Sequence, residues 1–179
     1  MNRLDIMLLK KIIEKIYIRY LRKNDQVKWA RKIGVSVGND CRLIDVSFSS
    51  EPYLVSIGNH VSATKVHFET HDGGLWVFRD KHPDWDIINK ITIGDNVYLG
   101  FGCLILPGVV IENNVVVGAN SVITKNLEAN AVYAGVPARK IKDLDEYYLS
   151  CKEKSFDTKK YSDEEKKTYY LNAINNKVS

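Results

Sequence analysis

Cysteine is scarce in this chain. There are three, Cys41, Cys103 and Cys151, an odd number with no CxxC pair. A disulfide framework or a thiolate zinc site is therefore not expected, and a reducing compartment is the simple inference. No apolar run reaches the length needed to span a bilayer. No small-residue cleavage site follows the apolar N-terminal stretch, so no signal peptide is expected. The expected location is cytoplasmic, or peripheral at the inner face of the membrane. Neither sign of charge dominates: 26 Lys and Arg against 22 Asp and Glu leave a net charge of +4. That permits an anionic ligand without calling for nucleic acid, and no nucleic-acid partner is expected. What remains, 45% hydrophobic and 27% charged over 179 residues, suits a soluble chain with one sizeable domain.

What is present is a period of six. From Ile93 an aliphatic residue recurs at Leu99, Ile105, Ile111, Val117 and Ile123. A second series follows four positions later at Val97, Cys103, Val109, Val115 and Ser121. A helix needs apolar residues every three or four positions, and a half-buried strand needs strict alternation. Six suits a short strand, a turn and the next strand, repeated as in a parallel β-helix. Corners such as Gly94-Asp95-Asn96, Glu112-Asn113-Asn114 and Gly118-Ala119-Asn120 carry residue types that tolerate the left-handed backbone conformation. Cys103 falls in the second series and reads as core.

Three segments follow from this pattern. Residues 1–30 form an amphipathic basic helix, with Leu4, Leu8, Leu9, Ile12, Ile13, Ile16, Ile18 and Leu21 interleaved with Lys10, Lys11, Lys15, Arg19, Arg22 and Lys23. Packing on the body or on a partner subunit is its ordinary role, and contact with anionic lipid is the sharper one. Residues 31–142 form the β-helix, less regular before residue 71. A long loop over 72–90 leaves the repeat with Trp76 and Trp85. Such a loop commonly forms the binding face. Residues 143–179 are a helical tail, the chain turning charged and helical after Pro137, with Tyr147, Leu149, Tyr169 and Leu171 as packing candidates. Over 152–167 it is a solvated helix face or partly disordered. The terminal helices are expected to cap the end coils.

The chain resembles the hexapeptide-repeat acyltransferases, in the branch of maltose, galactoside and surface-polysaccharide O-acetyltransferases. The stretches that carry this are Ile93-Gly94-Asp95-Asn96-Val97-Tyr98-Leu99-Gly100, Ile105-Leu106-Pro107-Gly108-Val109, Val117-Gly118-Ala119-Asn120-Ser121-Val122-Ile123-Thr124-Lys125 and Ala134-Gly135-Val136-Pro137-Ala138-Arg139. Ser50-Glu51-Pro52-Tyr53-Leu54, with His71-Asp72-Gly73-Gly74 and Trp76-Val77-Phe78-Arg79, is similar to a subgroup associated with cell-envelope polysaccharides. The resemblance implies an all-β left-handed parallel β-helix, whereas the usual crossover rule favours the right hand. It also implies a homotrimer with active sites between subunits, acetyl-CoA as co-substrate, and a sugar or glycan acceptor. No metal is expected.

Acetyl transfer from a thioester to a hydroxyl needs a base, and histidine suits that role near neutral pH. His71 falls where the family places its catalytic histidine. His60 reads as a surface turn residue, and His67 as lining a coil or orienting the base. His82, in the loop, is a candidate acceptor contact. Asp45, Glu51, Asp72 and Trp76 are the other candidates for the acceptor. Glu69 and Asp72 are expected to point away from His71 if the backbone is extended. The resemblance places coenzyme A along Gly102, Ala119, Thr124, Lys125, Arg139 and Lys142. Small residues there let the pantetheine arm lie flat, and the cations suit phosphates. Tyr98 and Phe101 depart from the residues common in the family and alter the pocket's shape.

Three alternatives stand beside this one. N-acetylation of an amino or nucleotide sugar uses the same fold. A non-catalytic trimeric scaffold would bind no coenzyme A. A zinc hydro-lyase resembling the γ-carbonic anhydrases fits poorly. His67 and His71 are four apart where that family's pair is five apart, and no third ligand follows in register.

Overall fold

The computed structural model describes residues 3–178, with side-chain surroundings for 5–174. Met1, Asn2, Ser179 and the side chain of Leu4 lie outside the described residues. The chain divides into two compact units, 1–146 and 147–179.

The first unit opens with α1 (Arg3–Asn24) and α2 (Gln26–Lys32). The expected single N-terminal helix is thus two. Asp25 separates them and caps α2, its carboxylate accepting from the Lys28 amide at 3.0 Å. Helix α2 is the lid of the solenoid. Its Trp29 is buried with its ring centroid 5.6 Å from that of Phe48, which in turn stacks on Phe68 at 5.0 Å.

The coils then follow in order. The first holds β1 (Ser36–Val37), β2 (Arg42–Ile44) and β3 (Ser47–Phe48). The second holds β4 (Val55–Ile57), β5 (Ser62–Thr64) and β6 (His67–Phe68). The third holds β7 (Ile91–Ile93), β8 (Val97–Leu99) and β9 (Leu104–Ile105). The fourth holds β10 (Val110–Ile111), β11 (Val115–Val117) and β12 (Val122–Ile123). A fifth begins where Leu127 bridges Ile111 and continues in β13 (Ala131–Gly135). Equivalent strands pair in parallel, giving three faces: β1-β4-β7-β10, β2-β5-β8-β11-β13 and β3-β6-β9-β12.

The two sequence series explain this packing. Ile57, Ile93 and Ile111 stand in register on the first face, and Ala63, Leu99 and Val117 on the second. Phe68, Ile105 and Ile123 align on the third. All nine are buried, as are Val97, Cys103, Val109, Val115 and Ser121 of the second series. Each coil thus places its apolar side chains on those of the coil below, and the interior is a continuous column. The main chain turns at Asn96, Asn114 and Asn120 with φ of 55°, 58° and 55°. Asparagine adopts this left-handed region at little cost.

At the far end the structure differs from the expected start of helix after Pro137. Residues Ala138–Asp143 form β14, antiparallel to β13, and helix α3 (Leu144–Lys154) begins only afterwards. A strand here satisfies the open edge of β13 with backbone hydrogen bonds, which the isolated stretch could not reveal.

The second unit holds most of α3, and α4 (Asp163–Val178). Ser162 and Glu165 form a reciprocal cap at the start of α4. The unit packs on aromatic edges. Phe156 lies 5.8 Å from both Tyr169 and Tyr170, and buried Thr158 pairs with the Tyr170 hydroxyl at 2.6 Å. Leu149 and Leu171, expected to pack, are exposed.

Candidate active site

Two of the three corners of the solenoid are tight. The third, where the chain passes from the third face back to the first, is long. It contains residues 49–54 in the first coil and 70–90 in the second. Here the backbone continues past β6 in extended form. Glu69 donates its amide to Ile105 O, and His71 bridges Ile88 across the base of the loop. Extended backbone puts residues 67, 69 and 71 on one side. That corrects the expectation for Glu69, which points toward His71.

The side chains form one polar chain. The Ser47 hydroxyl lies 2.8 Å from His67 Nδ1, and His67 Nε2 lies 3.0 Å from Glu69 Oε2. Glu69 Oε1 is buried without a hydrogen bond and stands 3.4 Å from His71 Nδ1. His71 Nδ1 is 3.0 Å from Glu51 Oε2, which also accepts the Thr70 hydroxyl at 2.7 Å. Thr70 is 1% exposed and is tied to Ser49 through its hydroxyl at 2.6 Å and its amide at 2.8 Å.

A carboxylate only accepts, so the proton of the neutral His71 ring resides on Nδ1 and the Nε2 lone pair is left available. The Glu51 hydrogen bond raises the His71 pKa from its ordinary 6.5, against the opposing effect of burial, and the charge of Glu69 adds to the rise. The Thr70 hydroxyl, then His71, hold Glu51 below its ordinary 4.5. The result is an ionised carboxylate orienting a strengthened base.

His71 opens on a cleft of about 490 Å³ lined by Glu69, Asp72, Ile87, Pro107 and Thr124, among others. Another concavity, about 510 Å³, lies on the second face beside Arg42, His60 and Tyr98. It lacks a histidine–carboxylate pair of comparable geometry. His60 is instead held by Asn96 at 2.9 Å.

The other expected residues scatter. Asp72 lines the cleft, but its carboxylate also caps the turn at Gly73–Phe78, accepting from the Gly74 amide at 2.8 Å. Glu51, expected to meet an acceptor, faces inward to His71 and Thr70. Asp45 is exposed at the corner between the second and third faces. Gly102 and Ala119 lie at that same corner, while Thr124 and Lys125 lie at the corner of His71. A Cβ on Gly102 would collide with the Asn120 amide, so the glycine keeps that edge flat. Trp76 is 77% exposed. His82 stacks on Trp85 with centroids 3.4 Å apart, which occupies one face of each ring. Arg139 and Lys142 lie on β14, and Lys142 pairs with Glu146 at 3.1 Å. A single chain therefore puts the two halves of the expected site on opposite edges of one face. Cys103 is buried, and burial pushes its thiol pKa up, which suits packing rather than catalysis. Among the described residues no three His, Cys, Asp or Glu side chains converge as metal ligands.

This architecture defines a class: the stacked short-strand coils are those of a hexapeptide-repeat transferase with a left-handed β-helix. The solved acetyltransferase VCA0836 of Vibrio cholerae shares the fold, with a TM-score of 0.59 at 20% identity over 80% of this chain and 94% of that one. Its structure complexed with acetyl coenzyme A has a TM-score of 0.56 at 22% identity, covering 73% of this chain and 85% of that one. The family described as bacterial transferase hexapeptide (six repeats) matches residues 90–125. Protein CapG of Staphylococcus aureus is 48% identical over 164 residues, 89% of this chain and 95% of that protein. The galactoside O-acetyltransferase of Escherichia coli K12 is 42% identical over 107 residues, 54% of this chain and 47% of that protein. The chain belongs to the hexapeptide-repeat acyltransferase family, in the branch that includes galactoside O-acetyltransferase.

Proposed function

We propose that this acyltransferase moves an acetyl group from acetyl-CoA to a hydroxyl of a sugar or cell-surface glycan. The observation that carries the reading is the Glu51–His71 pair at the cleft, with Nδ1 held and Nε2 available. His71 Nε2 takes the hydroxyl proton as the acceptor oxygen attacks the acetyl carbonyl. Glu51 and Glu69 stabilise the imidazolium that forms. The tetrahedral intermediate then collapses, the C–S bond breaks, and His71 returns its proton to the departing thiolate. No acyl-enzyme is needed. Backbone amides at the coil corner are suited to the oxyanion, and alignment of both substrates supplies much of the acceleration.

Gly102 and Ala119 lie at one edge of the third face and His71, Thr124 and Lys125 at the other. This supports a trimer in which one subunit presents the base and a neighbour completes the coenzyme A groove. Arg139 and Lys142 would meet its phosphates. Trp76 and Phe78, exposed on the loop beyond Asp72, offer apolar faces for a sugar ring.

The test is thiol release from acetyl-CoA over free, nucleotide-linked and polymeric sugars, with His71→Ala beside the wild type. Release with one sugar class, abolished in the variant, is the expected result. An unaffected variant would remove His71 as the base. A product acetylated only on nitrogen would replace O-acetylation by N-acetylation. Absence of acetyl-CoA binding by calorimetry would favour a scaffold.

A further inference from the structure

Helix α1 is packed against the body only toward its C-terminal end, and residues 5–17 are exposed whichever way they face. A helix turns about 100° per residue, which directs Ile18 and Leu21 to the body. Leu21 is buried and Ile18 packs against the core. Glu14 lies on the same side, paired with Lys32 at 2.8 Å. The opposite arc carries Leu9, Ile12, Ile13, Ile16 and Tyr20, each between 45% and 62% exposed. Arg19 borders this stripe on one edge and Lys10 on the other, while Asp5 and Lys23 fall on the stripe's own bearing at its two ends. Beside it a groove of about 500 Å³ is lined by Ile12, Ile16 and Ile18 together with Lys15 and Arg19.

An apolar stripe of this length is uncommon on a surface that faces only water. Its charge pattern selects the cover. Two antiparallel copies of the helix would let Asp5 meet Lys23 but would leave Lys10, Lys15 and Arg19 facing no opposite charge. An acidic protein groove would meet the cations but is not required to be flat. A lipid surface with anionic headgroups supplies phosphates at the helix flanks and an acyl boundary beneath the stripe. No described helix is long and apolar enough to cross a membrane, so α1 would lie in the plane of the surface. We propose that α1 docks the protein on an anionic phospholipid surface, with Lys15 and Arg19 holding headgroup phosphate at the lip of the groove. This stands apart from the transfer reaction and does not depend on the role of His71.

The test is co-sedimentation of the full chain with vesicles of phosphatidylcholine alone or mixed with phosphatidylglycerol, at low and high salt. The wild type is expected to pellet with the mixed vesicles, and to be released by salt. Ile13→Glu with Ile16→Glu should abolish binding. Lys15→Gln with Arg19→Gln, both at exposed polar positions, should weaken it on the order of tenfold or more while circular dichroism melting stays unchanged. That pair keeps the test decisive if the glutamate variant fails to fold. Wild-type protein left in the supernatant with mixed vesicles would overturn the proposal. So would a Lys15/Arg19 variant that binds undiminished. A glutamate variant that remains folded but sediments as a smaller assembly without lipid would make the stripe a subunit interface instead.

Discussion

Two corners of the same solenoid illustrate how one repeat serves two ends. At the corner between the first and second faces every coil turns alike. Asn96, Asn114 and Asn130 all adopt positive φ, and their amides join in a ladder, Asn96 to Asn114 at 2.8 Å and Asn114 to Asn130 at 2.9 Å. Each amide donates to the one on the next coil, with Asn114 both donating and accepting, so the corner is regular. At the corner between the third face and the first no two successive coils match. The first carries Glu51, the second expels the loop after His71, and the third turns at Leu106-Pro107-Gly108. Regularity closes the solenoid, and its interruption leaves a cleft with a histidine held between two carboxylates. On the proposed function, the chemistry sits where the repeat fails.

The comparison can be broken most sharply at His71. His71→Ala should lower kcat by roughly 10²–10⁴-fold, the usual contribution of a general base, with a melting temperature little changed at a pH where His71 is neutral. Glu51→Gln comes next, with a loss of about 10–100-fold expected from the lost orientation of the ring. Its pH profile tells more than its rate. The proposed mechanism needs neutral His71, whose pKa is raised above 6.5 by Glu51 first of all. The acid limb of the wild-type rate should therefore lie above that value and move to lower pH in Glu51→Gln. A limb that does not move would separate Glu51 from the base. The same pair bears on stability with opposite signs. The raised His71 adds stability below pH 6.5 that fades as pH climbs through its folded value. The depressed Glu51 adds stability above pH 4.5 that fades on acidification.

Glu69→Gln should act in the same direction but less, a few-fold in kcat with a smaller shift of the acid limb, because its carboxylate faces His71 through charge rather than a hydrogen bond. An unshifted profile would leave Glu69 with a merely structural role. The regular corner should respond the other way. Asn114→Ala removes two ladder bonds and puts alanine at φ 58°, a cost of about 1–3 kcal/mol. Melting should fall by several degrees while kcat holds. A comparable loss of activity would erase the distinction between the two corners.

Much of the fold was legible because the inward positions are set by a period that no other architecture shares. Ile93, Leu99 and Ile105 announce three faces before any coordinate is seen. His71 was singled out through its motif, and its role as the base is the proposal made above. Glu69 was missed although alternation over 67, 69 and 71 places it on the side of His71, and for Glu51 the pairing with His71 was not foreseen. Its partner is twenty positions away, joined to it only by the stacking of the first coil on the second. The strand at Ala138–Asp143 was missed because it exists only against the edge of β13.

The sequence by itself determined the solenoid, its three buried rows and its asparagine corners, since each depends on residues six or eighteen apart and on local backbone preference. Tertiary structure alone decided which carboxylates flank His71, which edges of the third face carry the two halves of the proposed site, and how much of α1 the body covers. Those depend on how one coil lies on the next and how α1 lies on the body, distances that no local spacing encodes.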